Sequence, residues 1–167
     1  ILGAKPGDNL GSGGVAGDLN GDGVDDIIVG ASASDAIQAI RTDMGEIYVI
    51  FGRDGLGGTI DTLDEAQDVT FQPAEGFSQL GRAMAIGDVN ADGIDDLIAG
   101  APYAGREPNT PPGCQRTTIG EVYVFHGRAD LGGVITVARN QDDQRFTGAA
   151  SYDQFGTSVA SADLSGD

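Results

Sequence analysis

Residues 17–31 read GDLNGDGVDDIIVGA, and residues 87–101 read GDVNADGIDDLIAGA. Numbered from Asp18, the first loop carries side-chain oxygens at positions 1, 3, 5 and 9, namely Asp18, Asn20, Asp22 and Asp26. The second loop repeats them in the same phase as Asp88, Asn90, Asp92 and Asp96. Oxygens at alternate positions of a tight turn converge on one point. Glycine at position 6, Gly23 or Gly93, permits the sharp bend, and position 7, Val24 or Ile94, can add its main-chain carbonyl. An all-oxygen set of this kind suits Ca2+, which takes several hard ligands at about 2.3–2.6 Å. Mg2+ demands near-octahedral geometry and keeps its waters, and zinc prefers Cys or His ligands. The loop is not an EF-hand, because position 12 is Val29 or Ala99, inside an apolar run, where that motif needs a bidentate glutamate. The closing ligand is therefore Asp26 or Asp96, while Asp25 and Asp95 at position 8 are expected to point away and stay solvated.

A third copy begins as ADLSGD at residues 162–167, with Asp163, Ser165 and Asp167 at the ligand positions. A serine hydroxyl can coordinate, but positions 6–9 fall beyond residue 167, so this set is incomplete within the chain. Asp, Asn and Gly also favour plain turns. Two loops in the same ligand phase, with a third begun, favour a metal site over three coincidental turns.

The elements that position these loops also repeat. GEIYVIFGRDGLGGTI at 45–60 recurs as GEVYVFHGRADLGGVI at 120–135. The offset grows from 70 to 75 between the acidic loops and this segment, because residues 102–119 form a longer loop than residues 32–44. Each unit offers four strand candidates: Gly13–Gly17, Ile27–Val29, Glu46–Phe51 and Asp68–Gln72, then Arg82–Gly87, Leu97–Ala99, Glu121–His126 and Gln144–Thr147. Gly, Asp and Pro turn signals separate them. At most one helical turn is expected, within Thr62–Val69. Units of this length, each with four short strands, predict an all-β radial array, a β-propeller of four-stranded antiparallel blades. Residues 1–10 are expected to be the last strand of a preceding blade and a connector, 11–80 and 81–155 two full blades, and 156–167 the start of a third. A chain that starts and ends inside its repeat is expected to be a segment of a longer protein or a protomer that completes its array with others.

Composition excludes some partners. With 26 acidic residues against 9 basic ones the formal net charge is -17, which lacks the basic footprint of a nucleic-acid binder. It also lacks the polybasic clusters that recruit anionic lipid, and no apolar run approaches the roughly 20 residues of a membrane span. The 28 glycines show no Gly-X-Y period and fit many tight turns between short strands.

FSQLG followed by AMAIGDVNADGIDDLIAGAP at 77–102, and YDQFGTSVASADLSGD at 152–167, resemble the FG-GAP repeat. Repeats of this family build the β-propeller at the N-terminus of integrin α subunits and many bacterial extracellular proteins. The Phe-Gly element is Phe155–Gly156, relaxed to Leu80–Gly81 and Leu10–Gly11. The Gly-Ala-Pro element is Gly100–Ala101–Pro102, and Gly30–Ala31–Ser32 departs from it at the proline. The resemblance implies calcium in the hairpin between the first two strands of each blade, held by the residues that the spacing already selects. It further implies a structural metal, a secreted or cell-surface location, and a non-enzymatic role in adhesion, protein interaction or surface assembly.

Other residues carry less. His126 replaces Phe51 at the end of a strand, and no nucleophile and acid can be placed around it. The glycine loop at 11–17 loses most of its glycines in its counterparts, so it reads as blade structure and not as a phosphate cradle. The 102–119 loop, with Tyr103, Arg106, Cys114 and Arg116, is a candidate partner surface. Expected partners are a protein or a second copy through the blade faces. A glycan-binding propeller is an alternative, with Tyr48/Tyr123 and Phe77/Tyr152 as its repeated aromatics, and an accessory domain of a secreted enzyme is another.

Overall fold

The computed structural model describes residues 1–35, 44–73, 78–105, 118–137 and 143–162. Asp163, Ser165 and Asp167, together with Phe77, Arg106, Cys114 and Arg116, lie outside the described residues.

Nine strands follow in order: β1 (Leu10–Gly17), β2 (Asp26–Ala31), β3 (Glu46–Ile50), β4 (Val69–Pro73), β5 (Ala83–Gly87), β6 (Asp96–Ala101), β7 (Glu121–Phe125), β8 (Gly133–Val137) and β9 (Gln144–Thr147). They form two sheets, ordered β1-β2-β3-β4-β8 and β5-β6-β7-β9. Successive strands within each sheet's repeat pair antiparallel. The fold is all-β, with two successive propeller blades. Among the described residues no helix occurs, and Thr62–Asp68 is turn and bend leading into β4.

Strand alternation divides each sheet into two faces. In the first sheet Ile28 stands opposite Val49, Val49 opposite Val69 and Ile47 opposite Phe71, so these five side chains share one face. In the second, Leu97 stands opposite Phe125 and Ala99 opposite Tyr123. These two faces pack on each other and make one core, with the Phe71 and Phe125 ring centroids 4.5 Å apart. Burying Phe71 fully is worth about 1.5–3 kcal/mol. The sheets approach so closely at one point that only glycine fits. A Cβ on Gly30 would lie 2.1 Å from the carbonyl oxygen of Gly81, and one on Gly100 would lie as near to that of Gly156. The glycines of the Gly-Ala and Phe-Gly elements are thus partners across successive units.

β8 was not among the expected strands. It lies within the second repeat yet pairs parallel with β4 of the first sheet, Phe71 opposite Ile135 and Gln72 opposite Thr136. Gln72 Nε2 also donates to Thr136 Oγ1 at 3.0 Å. An isolated parallel bridge joins Leu2 to Asp61, the positions that correspond to Gln72 and Thr136 one repeat earlier. The segment after the third strand of each unit therefore reaches back to the fourth strand of the unit before. Sequence pattern missed it because Gly132 and Gly133 read as a turn and the partner strand is some sixty residues away. β1 also begins earlier than expected, at Leu10, and absorbs the extra residues in an irregularity between Leu10 and Gly13.

Candidate metal loops

Both acidic loops connect the first two strands of their sheets, β1 to β2 and β5 to β6. Locally each is a chain of side-chain-to-backbone turns. Asp18 Oδ1 accepts from the N–H of Gly21 at 2.7 Å and of Asp22 at 3.0 Å, and Oδ2 accepts from Gly23 at 2.7 Å. Asn20 Oδ1 accepts from Asp22 N–H and Asp22 Oδ1 from Val24 N–H, both at 2.9 Å. In the second loop Asp88 accepts from the N–H groups of Asp92 and Gly93, Asn90 from that of Asp92, and Asp92 from that of Ile94. Gly23 and Gly93 take φ of 85° and 86°, the left-handed conformation that position 6 requires.

Asp26 and Asp96 do something different. Both are fully buried, at 0% exposure. Asp26 Oδ2 accepts from Leu19 N–H and Oδ1 from Gly52 N–H, each at 2.9 Å. Asp96 does the same with Val89 at 2.9 Å and Gly127 at 3.0 Å. Each thus staples the start of its loop to the end of the third strand. Gly52 and Gly127 escaped sequence reasoning, although their recurrence at the same position of both units was visible.

Charge crowds this staple. Burial pushes the Asp26 carboxyl above the ordinary aspartate range, its two N–H bonds pull it back, and the negative charges of Asp18 and Asp22 push it up again. Asp18, Asn20 and Asp22 share one loop with Asp26 at its end, an oxygen donor set with the chemistry of a hard-cation loop, and Asn20 Nδ2 donates to Asp22 Oδ2 at 3.1 Å. Asp18 Oδ2 and both Asp22 oxygens accept one N–H each and keep a second lone pair, whereas Asp18 Oδ1 already accepts two. Val24 and Ile94 follow directly, with their N–H groups tied to Asp22 and Asp92. Among the described residues no three Asp, Glu, His or Cys side chains are gathered closely enough to hold a metal ion, so Asp18, Asp22 and Asp26, like Asp88, Asp92 and Asp96, do not stand as a formed cage.

Position 8 behaves differently in the two loops. Asp25 is exposed, as expected. Asp95 is not a solvated bystander. Its Oδ2 accepts from the N–H of Asp18 at 3.0 Å, and its own N–H donates to the Asp18 carbonyl at 3.1 Å. Stacking of the sheets sets the hairpins side by side, and position 8 of the second falls on position 1 of the first.

Away from the loops, Tyr48 Oη and Ser34 Oγ donate to Glu46 Oε2 at 2.7 and 2.5 Å, and Tyr123 donates likewise to Glu121. Burial, and then Glu46, raises the Tyr48 phenol. Tyr48 and Tyr123 are buried, so neither offers a sugar-stacking platform, whereas Tyr152 is exposed. His126 follows β7, its N–H donating to Asp143 Oδ2 at 2.7 Å.

The family model described as FG-GAP repeat matches residues 10–50 and 80–125, together just over half of the chain. The chain is 35% identical over 156 residues to phosphatidylinositol-glycan-specific phospholipase D of Bos taurus, covering 90% of this chain and 16% of that protein. It is 31% identical over 134 residues to integrin alpha-PS2 of Drosophila melanogaster, 76% of this chain and 8% of that one. With human integrin alpha-8 it shares 30% over 119 residues, 70% of this chain and 10% of the relative. The chain therefore spans well under a fifth of the length of these relatives. Among the described residues no helix is long and apolar enough to cross a membrane.

Proposed function

The chain belongs to the FG-GAP repeat family, and from that premise we propose that it is a non-enzymatic, calcium-stabilised segment of an extracellular β-propeller, acting in adhesion, protein interaction or surface assembly. Its blades run over 11–80 and 81–155, with 1–10 and 156–167 belonging to the neighbouring blades. Asp18, Asn20, Asp22 and Asp26, with the Val24 carbonyl, hold one calcium ion. Asp88, Asn90, Asp92 and Asp96, with the Ile94 carbonyl, hold a second. The observation that carries this reading is the same pattern of inward-turned side chains in both loops, each with a buried aspartate beneath.

The ion's role is structural: bound, it neutralises the clustered carboxylates. At free calcium twenty times the dissociation constant each site adds about 1.8 kcal/mol to stability. Extracellular modules commonly bind calcium at about 10⁻⁴–10⁻³ M, which suits a secreted or surface protein. Calorimetric titration with calcium tests the assignment. Asp22→Ala with Asp92→Ala is expected to remove most of the heat, and unchanged heat would overturn the ligand set.

The similarity to phosphatidylinositol-glycan-specific phospholipase D favours a second reading, a non-catalytic module of a secreted enzyme. The complete reading frame separates the two: an enzyme domain in the same chain favours the second, and a chain of propeller and adhesion modules the first.

A further inference from the structure

We propose that Asp95 couples the two calcium loops, so that filling either raises the affinity of the other. The inference rests on the calcium reading above and concerns a residue that is a ligand in neither loop.

Asp95 lies between Ile94 and Asp96, the position-7 and position-9 donors of the second loop. A cation held by those neighbours fixes the main chain at Asp95. Asp95 in turn grips Asp18, the position-1 donor of the first loop, on both sides of its peptide: carboxylate to the Asp18 N–H at 3.0 Å, N–H to the Asp18 carbonyl at 3.1 Å. Two further contacts run the same way. Arg128 N–H donates to the Leu19 carbonyl at 2.9 Å, next to the Gly127 that staples Asp96. The Ile94 side chain lies so close to Gly21 that a Cβ there would come within 3.0 Å of Ile94 Cδ1. Gly17 makes room for the grip, since a Cβ on it would sit 2.6 Å from Asp95 Oδ2.

Charge between the ions acts in the opposite sense, and the bridge moderates it. Two cations in adjacent hairpins repel each other, and the Asp95 carboxylate lies at the boundary between the loops, committed to neither cage. Ordering one loop therefore pre-forms the other, and the anionic bridge offsets the repulsion. A coupling of this kind is reciprocal by thermodynamic linkage.

Calcium calorimetry on the whole chain tests it, with amide NMR of Asp18 as a second readout. The unsubstituted chain is expected to bind two ions with positive cooperativity. Asp92→Ala is expected to empty the second loop and weaken the first by at least about fivefold. Asp95→Ala is expected to keep both sites but lose the cooperativity, and adding Asp92→Ala to it should no longer weaken the first loop. In the unsubstituted chain, filling the second loop should shift the Asp18 amide, and Asp95→Ala should abolish that response. Asp95→Asn retains an oxygen acceptor with no charge. Partial coupling in that variant, with circular dichroism unchanged, supports the bridge and excludes misfolding as the cause. Two independent sites in the unsubstituted chain, or full cooperativity in Asp95→Ala, would overturn the coupling while leaving the calcium reading intact. Absence of any calcium heat would overturn both.

Discussion

Gly52 donates its main-chain N–H to the buried Oδ1 of Asp26 at 2.9 Å, and Gly127 does the same to Asp96 at 3.0 Å one repeat later. The aspartate at position 9 is therefore part of the fold's hydrogen-bonded frame before any cation is considered. Positions 1, 3 and 5 lie in the exposed loop above it. This separation of roles makes two kinds of loop variant distinguishable.

Asp26→Ala leaves the N–H groups of Leu19 and Gly52 without their acceptor, at about 1–3 kcal/mol for each buried donor. A loss of about 2–6 kcal/mol is expected in chelator, read from urea unfolding followed by circular dichroism. Asp22→Ala removes an exposed side chain and should cost under about 1 kcal/mol in chelator. Its effect should emerge only with calcium present, as the loss of calcium-induced stabilisation. Equal losses for the two variants in chelator would contradict this division.

The glycine pairing between units makes a steric prediction. Gly30→Ala would place a Cβ 2.1 Å from the Gly81 carbonyl oxygen, against main-chain atoms with no flexible side chain to yield. It should destabilise by about 3 kcal/mol or prevent folding. Gly14→Ala, where the nearest neighbour is Ile28 O at 3.8 Å, should be neutral or slightly stabilising. Thermal melts of the two variants side by side decide it.

Phe71 and Phe146 occupy the same position of successive repeats, yet Phe71 is 1% exposed and Phe146 51%. Phe71→Ala should cost about 3–5 kcal/mol through the cavity it leaves against Phe125. Phe146→Ala should cost under about 1 kcal/mol in this chain. Urea midpoints of the two variants measure the difference.

Calcium-free stability should fall as pH rises from mild acid to neutral. Burial chiefly raises both Asp8 and Asp26, so each prefers its neutral form in the fold. Such a group stabilises the fold below its ordinary value of 3.8, and that contribution is lost as pH rises through the raised folded value. Self-repulsion at a net charge of -17 acts in the same direction. Urea midpoints in chelator between about pH 4 and 7 should therefore decline. Saturating calcium should reverse the trend, because the cation binds the ionised carboxylates. A rising midpoint in chelator would contradict the assignment of Asp26 as a strained buried acid.

The acidic loops and the hairpins around them were legible in the residues because their chemistry is local. Asp18 to Asp26 spans nine residues, and the bend at Gly23 needs only the backbone freedom of one glycine. The antiparallel pairing of β1 with β2 follows from the short acidic loop between them for the same reason. Three features were decided only by how the sheets stack. Asp95 carries no sequence sign of its bond to Asp18, since the contact spans 77 residues and exists only where two hairpins meet. β8 joins a sheet built from the other repeat, through parallel pairing that no hairpin turn announces. Phe71 and Phe146 look alike in the repeat, and only the packing of Phe125 on the first of them separates core from surface. Spacing along the chain sets what a loop can bind, whereas burial and contact between units depend on which faces meet, and that is a property of the assembled sheets.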